Sequence, residues 1–404
     1  MPPTSTVPPS AVMRRARTAV GACFFVNAVL YANLIPRFPE VKAELGLSNS
    51  ALGAAIAALP LGALLAGLSS APLIRRLGSA RVASGGLTLL AAAVWAAAAA
   101  PNWAALAGAL LLAGALDAIV DVAQNAHGLR VQRGYGRSIL NAFHGLWSIG
   151  AVTGGLIGSA AAGLGIPLPL HLGVVALVFG VPALFGPRVL LPGSDDAERA
   201  DEGTDAPAPD RAARGAARRT ALLAMAALGV LAAAGAFVED AGGSWSAVYL
   251  RDELGAGPAA AGLGFVALSV AMTVGRLTGD RVVDRFGQRR VARVGGALTA
   301  AGVGLALALP SIPTTLLGFA VAGLGVATLV PAVYHAADEQ PGLRRGLGLA
   351  VVNWLLRIGF LVSPLLIGVL ADAFSLRVAL LTVVLAGLVT LVLGRVLRRS
   401  VAHG

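Results

Sequence analysis

The 404-residue chain has one cysteine, Cys23, and one lysine, Lys42. A single cysteine closes no internal disulfide and builds no thiolate metal cluster. The lone lysine sits in the run EVKAELG, outside any glycine-rich phosphate loop, so an ATP-driven machine is not expected. Charged residues make up only 13% of the chain, about half the share of a typical soluble domain. No His-Glu-x-x-His run and no paired Cys/His spacing occurs, and the glycine-rich run from Gly145 to Gly158 lies in apolar sequence without a preceding strand pattern. It fits close helix packing rather than a dinucleotide site. The chain therefore reads as a non-enzyme that carries no cofactor and no metal.

What it has is apolar sequence: 57% of residues are hydrophobic and the mean hydropathy is +0.79. A helix needs about 20 apolar residues to cross a bilayer. Punctuation by Gly, Pro and charge gives twelve such segments, six between about 18 and 190 and six between about 219 and 396. The first follows Arg14, Arg15 and Arg17. It is too long for a signal-peptide core and has no small-x-small cleavage site, so it is read as a retained span. Residues 192–217 are polar, charged and rich in Pro and Gly, the composition of a flexible linker. The expected fold is an all-α polytopic membrane protein. Six-helix bundles at 1–191 and 218–404 are joined by a cytoplasmic linker at 192–217.

Charge placement supports this topology. With the N-terminus inside, 25 of the 31 cations fall in the inner turns and termini, and four (Arg37, Lys42, Arg251, Arg377) in the outer turns. That is a strong positive-inside bias. It accounts for the formal charge of +11 as a topology device at the cytoplasmic lipid surface, and excludes nucleic acid as a partner. The halves also repeat at a constant offset of 209: Glu44, Leu45, Gly46 and Gly53 fall on Glu253, Leu254, Gly255 and Gly262. In the same register Arg76, Gly78 and Arg81 fall on Arg285, Gly287 and Arg290, Gly114 on Gly323, and Ile149-Gly150 on Ile358-Gly359. Parallel repeats flanking a linker are an architecture of secondary transporters, with the substrate site at mid-membrane between them.

Charge inside a span needs a reason. Asp117, Asp121 and Asn125 follow one another at four-residue spacing, so they share a helix face. Two carboxylates one turn apart repel, so the pair is expected to hold a proton near neutral pH and to couple transport to it. The alternative is a structural ion pair with an arginine on a facing helix. Arg357, in the eleventh span, could be the counter-ion of Asp117, Asp121 or Glu239, or could bind an anionic substrate group; Asn353 precedes it on the same span. Glu239 and Asp240 precede Gly242-Gly243 and Trp245, either a broken helix that binds substrate or a wetted helix end. His144 and Trp147 are three residues apart on one face, suited to a hydroxyl-rich or aromatic ligand, or alternatively to packing. His127, His335, Asp338 and Glu339 read as interfacial, and Arg276 and Asp280 as a local i,i+4 pair.

With these motifs in hand, the chain resembles the major facilitator superfamily. That superfamily repeats Gly-x-x-x-Asp-Arg-x-Gly-x-Arg/Lys-Arg/Lys after its second and eighth spans. GDRVVDRFGQRR (279–290) carries Asp284, Arg285, Gly287, Arg289 and Arg290 in place, with Gly279 one residue early. APLIRRLGSAR (71–81) keeps Arg76, Gly78 and Arg81 but has Arg75 where the acid belongs. The resemblance implies the superfamily fold, and cytoplasmic gate contacts by these residues together with Asp280. More narrowly, Asp121-Val-Ala-Gln-Asn125 and Leu140-Asn141-Ala-Phe-His144 are similar to runs in the fucose permease-like proton symporters and related bacterial members. That similarity implies Asp121 as proton carrier, with Asn125, Asn141 and His144 near substrate. The departures are the absence of Pro after Asn125, His144 at a Gln position, and the extra Asp117.

The expected function is secondary transport of a small solute across the cytoplasmic membrane by alternating access, coupled to protons. The expected substrate is sugar-like and polar, and the protein is expected to act as a monomer with both termini cytoplasmic. The alternatives are a proton-driven exporter of drugs or secondary metabolites and a non-transporting receptor or scaffold.

Overall fold

The computed structural model describes residues 10–135, 139–193, 214–338 and 347–397, and all regular structure among them is helical. Most of the polar stretch 192–217 lies outside these residues, as does Glu339. Among the described residues, twelve helices are long and apolar enough to cross a membrane, the expected number. They are α1 (Ala11–Glu44), α2 (Asn49–Leu77), α3 (Ser79–Ala98), α4 (Trp103–Tyr135), α5 (Leu140–Gly163) and α6 (Leu168–Arg188). The second six are α7 (Leu223–Asp252), α8 (Pro258–Phe286), α9 (Gln288–Ala308), α10 (Ile312–Asp338), α11 (Val351–Ala373) and α12 (Leu376–Val396).

Short polar side chains set several helix starts by accepting the backbone N–H groups that the first turn leaves over. Ser10 accepts from Met13 N at 3.2 Å, Asn102 from Ala105 N at 3.0 Å, and Ser375 from Val378 N at 3.2 Å. Gln132 does the same for α5, taking the N–H of Ile139 at 2.8 Å and of Leu140 at 3.0 Å. Large apolar side chains face outward, Leu68 at 90% exposure among them, as they do where the surrounding solvent is hydrocarbon.

The described residues form two compact units. The first contains residues 10–34, 58–161 and 165–193; the second contains 35–57, 162–164 and 214–397. In the first unit α3 packs on α4 and α1 on α4; in the second α7 packs on α11, α8 on α10, and α9 on both α10 and α12.

The repeat read from the sequence is present in the backbone. Gly78 has φ 83° and ψ 146°, and Gly287, 209 residues later, has φ 80° and ψ 148°. Both close a helix in a conformation that side-chain-bearing residues rarely adopt. Gly46 and Gly255 match likewise, at φ 60° and 63°. Close packing repeats too. A side chain at Gly114 would run into the carbonyl of Leu59, and one at Gly323 into the carbonyl of Leu268. Those two partners are themselves 209 apart, so α4 lies on α2 as α10 lies on α8.

Candidate functional site

In the first unit the polar groups of α1, α4 and α5 join in one chain. The Trp147 indole Nε1 donates to Asn27 Oδ1 at 2.9 Å, and Asn27 Nδ2 donates to Asp117 Oδ1 at 2.8 Å. An indole can only donate, which fixes the amide of Asn27: its oxygen must face Trp147, so its nitrogen must face the acid. Asn27 is buried at 4% exposure, and Asp117 is half-buried. One turn on, Asn125 Nδ2 donates to Asp121 Oδ1 at 3.0 Å and to the Asp121 carbonyl at 2.8 Å. The two carboxylates and Asn125 thus share a face of α4, with Asp117 held across helices and Asp121 contacted by its own next turn. His144 lies edge-on to Phe24, ring centres 5.1 Å apart, and Phe24 stacks on Phe143 at 5.6 Å. Asn141 is exposed at the start of α5.

The second unit holds a separate set. Glu239 pairs with Arg276 of α8 at 3.4 Å. Arg276 therefore reaches α7 instead of forming the expected local pair with Asp280. The two lie on neighbouring helices and leave each other partly solvated, at 35% and 25% exposure. Asp240 Oδ1 accepts from Ser244 Oγ at 3.2 Å. The glycines after it do not break the helix; residues Ala241–Trp245 widen into a π-helical turn. Such turns are rare and recur at functional sites. Trp245 is fully buried, its ring 3.2 Å from where a methyl at Gly53 would sit. Asn353 Oδ1 accepts from the Tyr334 hydroxyl at 2.9 Å, tying α11 to α10. Arg357, one turn further, is half-buried and makes no ion pair among the described residues, while Glu239, one of its expected partners, is paired with Arg276.

The residues of the two loop motifs sit at helix ends. Arg76 and Gly78 end α2, while Asp280, Asp284, Arg285 and Gly287 end α8; Arg289 and Arg290 open α9. At the α2–α3 end, His127 departs from its expected interfacial place. It is buried at 1% exposure and accepts from the Leu191 backbone N–H at Nε2, 3.1 Å. Its other nitrogen must then carry the proton, which it gives to Ser79 Oγ at 2.7 Å.

Several polar residues that tie the structure together were not singled out from sequence. Asn27 is the chief one. It is a polar group in an apolar run, the signal that flagged Asp117. A second group holds residues 35–57 within the second unit. Lys42 pairs with Asp252 at 2.6 Å, and Asp372 accepts the N–H groups of Asn49 at 2.9 Å and Ser50 at 2.8 Å. These pairs are more than 200 residues apart in sequence, which no local pattern reveals.

The profile of the Major Facilitator Superfamily matches residues 20–239 and 230–403. An uncharacterised transporter, y4wD, of Sinorhizobium fredii is 30% identical over 390 residues, spanning 96% of this chain and all of the relative. An uncharacterised MFS-type transporter of Yersinia pestis is 31% identical over 359 residues, 88% of this chain and 89% of its own. Among solved structures, a bacterial homologue of the human lysosomal transporter Spinster, in an inward-facing and occupied conformation, superimposes with a TM-score of 0.74 at 15% identity, covering 94% of this chain and 95% of its own. The nucleoside transporter NupG superimposes with a TM-score of 0.72 at 14% identity, covering 94% and 97%. These two likenesses concern the fold alone.

Proposed function

Because the chain belongs to the Major Facilitator Superfamily and is a membrane transporter of that type, we propose that it moves a small polar solute by alternating access, coupled to protons through Asp121 with Asp117 beside it. The observation that carries this reading is the hydrogen-bonded run Trp147–Asn27–Asp117, with Asp121–Asn125 one turn away. Two carboxylates one turn apart on one face of a membrane-spanning helix form a site at which a proton can be loaded and released. Asp117 is anchored through Asn27, and such a bond to a charged group contributes about 1.5–3 kcal/mol. Asp121 is assigned the proton that moves by its place in the run Asp121–Asn125, which is similar to that of the proton symporters.

Asn125, Asn141 and His144 in the first unit offer amide and imidazole groups suited to neutral hydroxyls, and Trp147, whose N–H is given to Asn27, offers an aromatic face; together they favour a sugar-like solute. In the second unit Glu239, Asp240, Trp245, Asn353 and Arg357 are assigned to substrate. Arg76, Gly78, Asp280, Asp284, Arg285, Gly287, Arg289 and Arg290 are assigned to the inner gate. The segments 1–191 and 218–404 act as the two moving bundles and 192–217 as their linker. The positive-inside bias favours cytoplasmic termini, and the chain is assigned to the cytoplasmic membrane and to work there as a monomer.

The test is a thermal-shift screen of purified protein against sugars, nucleosides, organic acids and drugs, followed by uptake of the strongest binder into proteoliposomes. A binder of the folded state raises the melting temperature. A hydroxylated neutral solute that accumulates only with an imposed proton gradient supports the reading. A hit confined to apolar aromatic compounds, or uptake indifferent to the gradient, contradicts it.

A further inference from the structure

The first unit contains a cavity of about 460 Å³ at the α2–α3 end. Arg75 and Arg76 from the end of α2, Arg81 from the start of α3, and Gly193 beyond α6 line it, with Val122 and Ala126 of α4 as an apolar wall. Among the described residues, no acidic one lines it. The three arginines are exposed, and none makes an ion pair among the described residues. The four cations assigned to the outer turns contrast with them. Arg37 pairs with Glu40, Lys42 with Asp252, Arg251 donates to Ala256 O and Arg377 to Leu307 O.

The walls are fixed rather than adventitious. His127 bridges Ser79 to Leu191, and Arg130 donates to the carbonyls of Pro192 at 2.6 Å and Gly193 at 3.2 Å. A fourth cation is thus spent on holding the wall. Ala80 and Arg81 line the cavity from the first turn of α3, a helix of 20 residues whose N-cap, Gly78, has no side chain to offer its backbone N–H groups. Unsatisfied N–H groups and the positive end of a helix favour an anion. The repeat sharpens the point. The second copy keeps the same glycine conformation but has Asp284 where the first has Arg75. At the position of that acid the first copy carries a guanidinium, with the same glycine conformation beside it.

We propose that this cavity binds a phosphate group, gripped by Arg75, Arg76 and Arg81 and the first turn of α3. Guanidinium forks match phosphate oxygens two at a time, and the volume is that of a small-ligand site. The proposal does not depend on the transport mechanism. The phosphate is either the head of an anionic phospholipid or a soluble ion, and the test separates the two. Full-length protein is titrated in neutral detergent with short-chain phosphatidylglycerol, short-chain phosphatidylcholine and inorganic phosphate, following the melting temperature and a calorimetric Kd. Phosphatidylglycerol alone binding identifies a lipid head; inorganic phosphate binding as well identifies a free-phosphate site; either supports the proposal. Arg75→Asp and Arg81→Gln should each weaken binding about tenfold or more, the loss expected for one charge-assisted hydrogen bond. Arg75→Gln serves if either variant fails to fold. Binding unchanged in these variants, phosphatidylcholine binding as well as phosphatidylglycerol, or no binding at all overturns it. So does binding that appears only in an Asp195→Asn, Asp196→Asn variant, which would assign the cavity to the chain's own acids.

Discussion

Asn27 can present its amide only one way round, because the Trp147 indole has a proton to give and no lone pair to receive one. The rest of the α1–α4–α5 contact follows: the amide nitrogen faces Asp117, and the carboxylate accepts. Trp147→Phe should leave a buried acceptor unpaired and destabilise the protein by about 1–3 kcal/mol. Asn27→Leu should cost more, since it strips both Trp147 and Asp117. A double-mutant cycle between Asn27 and Trp147, read by chemical unfolding in detergent, should give a coupling energy of about 0.5–3 kcal/mol; additive effects would show that the bond contributes nothing. The acids of this site were legible in the sequence because a charge in an apolar run cannot be bland. Asn27 obeys the same logic more quietly: an amide costs less to bury than a carboxylate, so it stood out less. The partner of Arg276 was not legible. Asp280 lay at helical spacing and offered a local answer, whereas Glu239 reaches Arg276 only once α7 packs beside α8.

Close approach between helices is set by glycine at matched places in the repeat. Gly114→Ala should drive a methyl into the Leu59 backbone, and Gly323→Ala into that of Leu268. Backbone cannot swing aside as a side chain can, so each should destabilise by about 1–3 kcal/mol or more. Gly108→Ala, also on α4, meets nothing within 4 Å and should be neutral or slightly stabilising through helix propensity. Melting temperatures of the three purified variants check this; equal effects would mean that the α2–α4 and α8–α10 contacts are not tight. The start of α2 depends on a different device, the Asp372 carboxylate that accepts from Asn49 and Ser50. Asp372→Ala should speed amide exchange at those two residues about tenfold or more, while exchange in the middle of α2 stays unchanged. Protection that persists in the variant would mean that the carboxylate is not what holds these amides. The glycines and the repeat were readable because an offset shared by many positions accumulates along the sequence. The Asp372 cap was not, because it joins residues 322 and 323 apart.

Over the whole chain, composition and charge carried the architecture. Twelve apolar segments became twelve helices among the described residues, since a helix pairs its backbone polar groups within its own segment, as hydrocarbon requires. The basic turns also make a topological prediction. Alkaline phosphatase fused at the C-terminus should be inactive, and inserted in the turn between α3 and α4 it should be active; the reverse pattern would invert the orientation. Spacing alone places Asp117 and Asp121 on one face; the assignment of the moving proton to Asp121 came from the run Asp121–Asn125, and the packing of α1 adds the Asn27 bond to Asp117. That assignment is tested most directly by proton entry evoked by solute. Proteoliposomes loaded with a pH-sensitive dye are given the solute found by the binding screen, and acidification of the lumen is followed. Wild type should acidify. Asp121→Asn should not, while still exchanging labelled for unlabelled solute across the membrane. Acidification by Asp121→Asn at the wild-type rate would contradict the account.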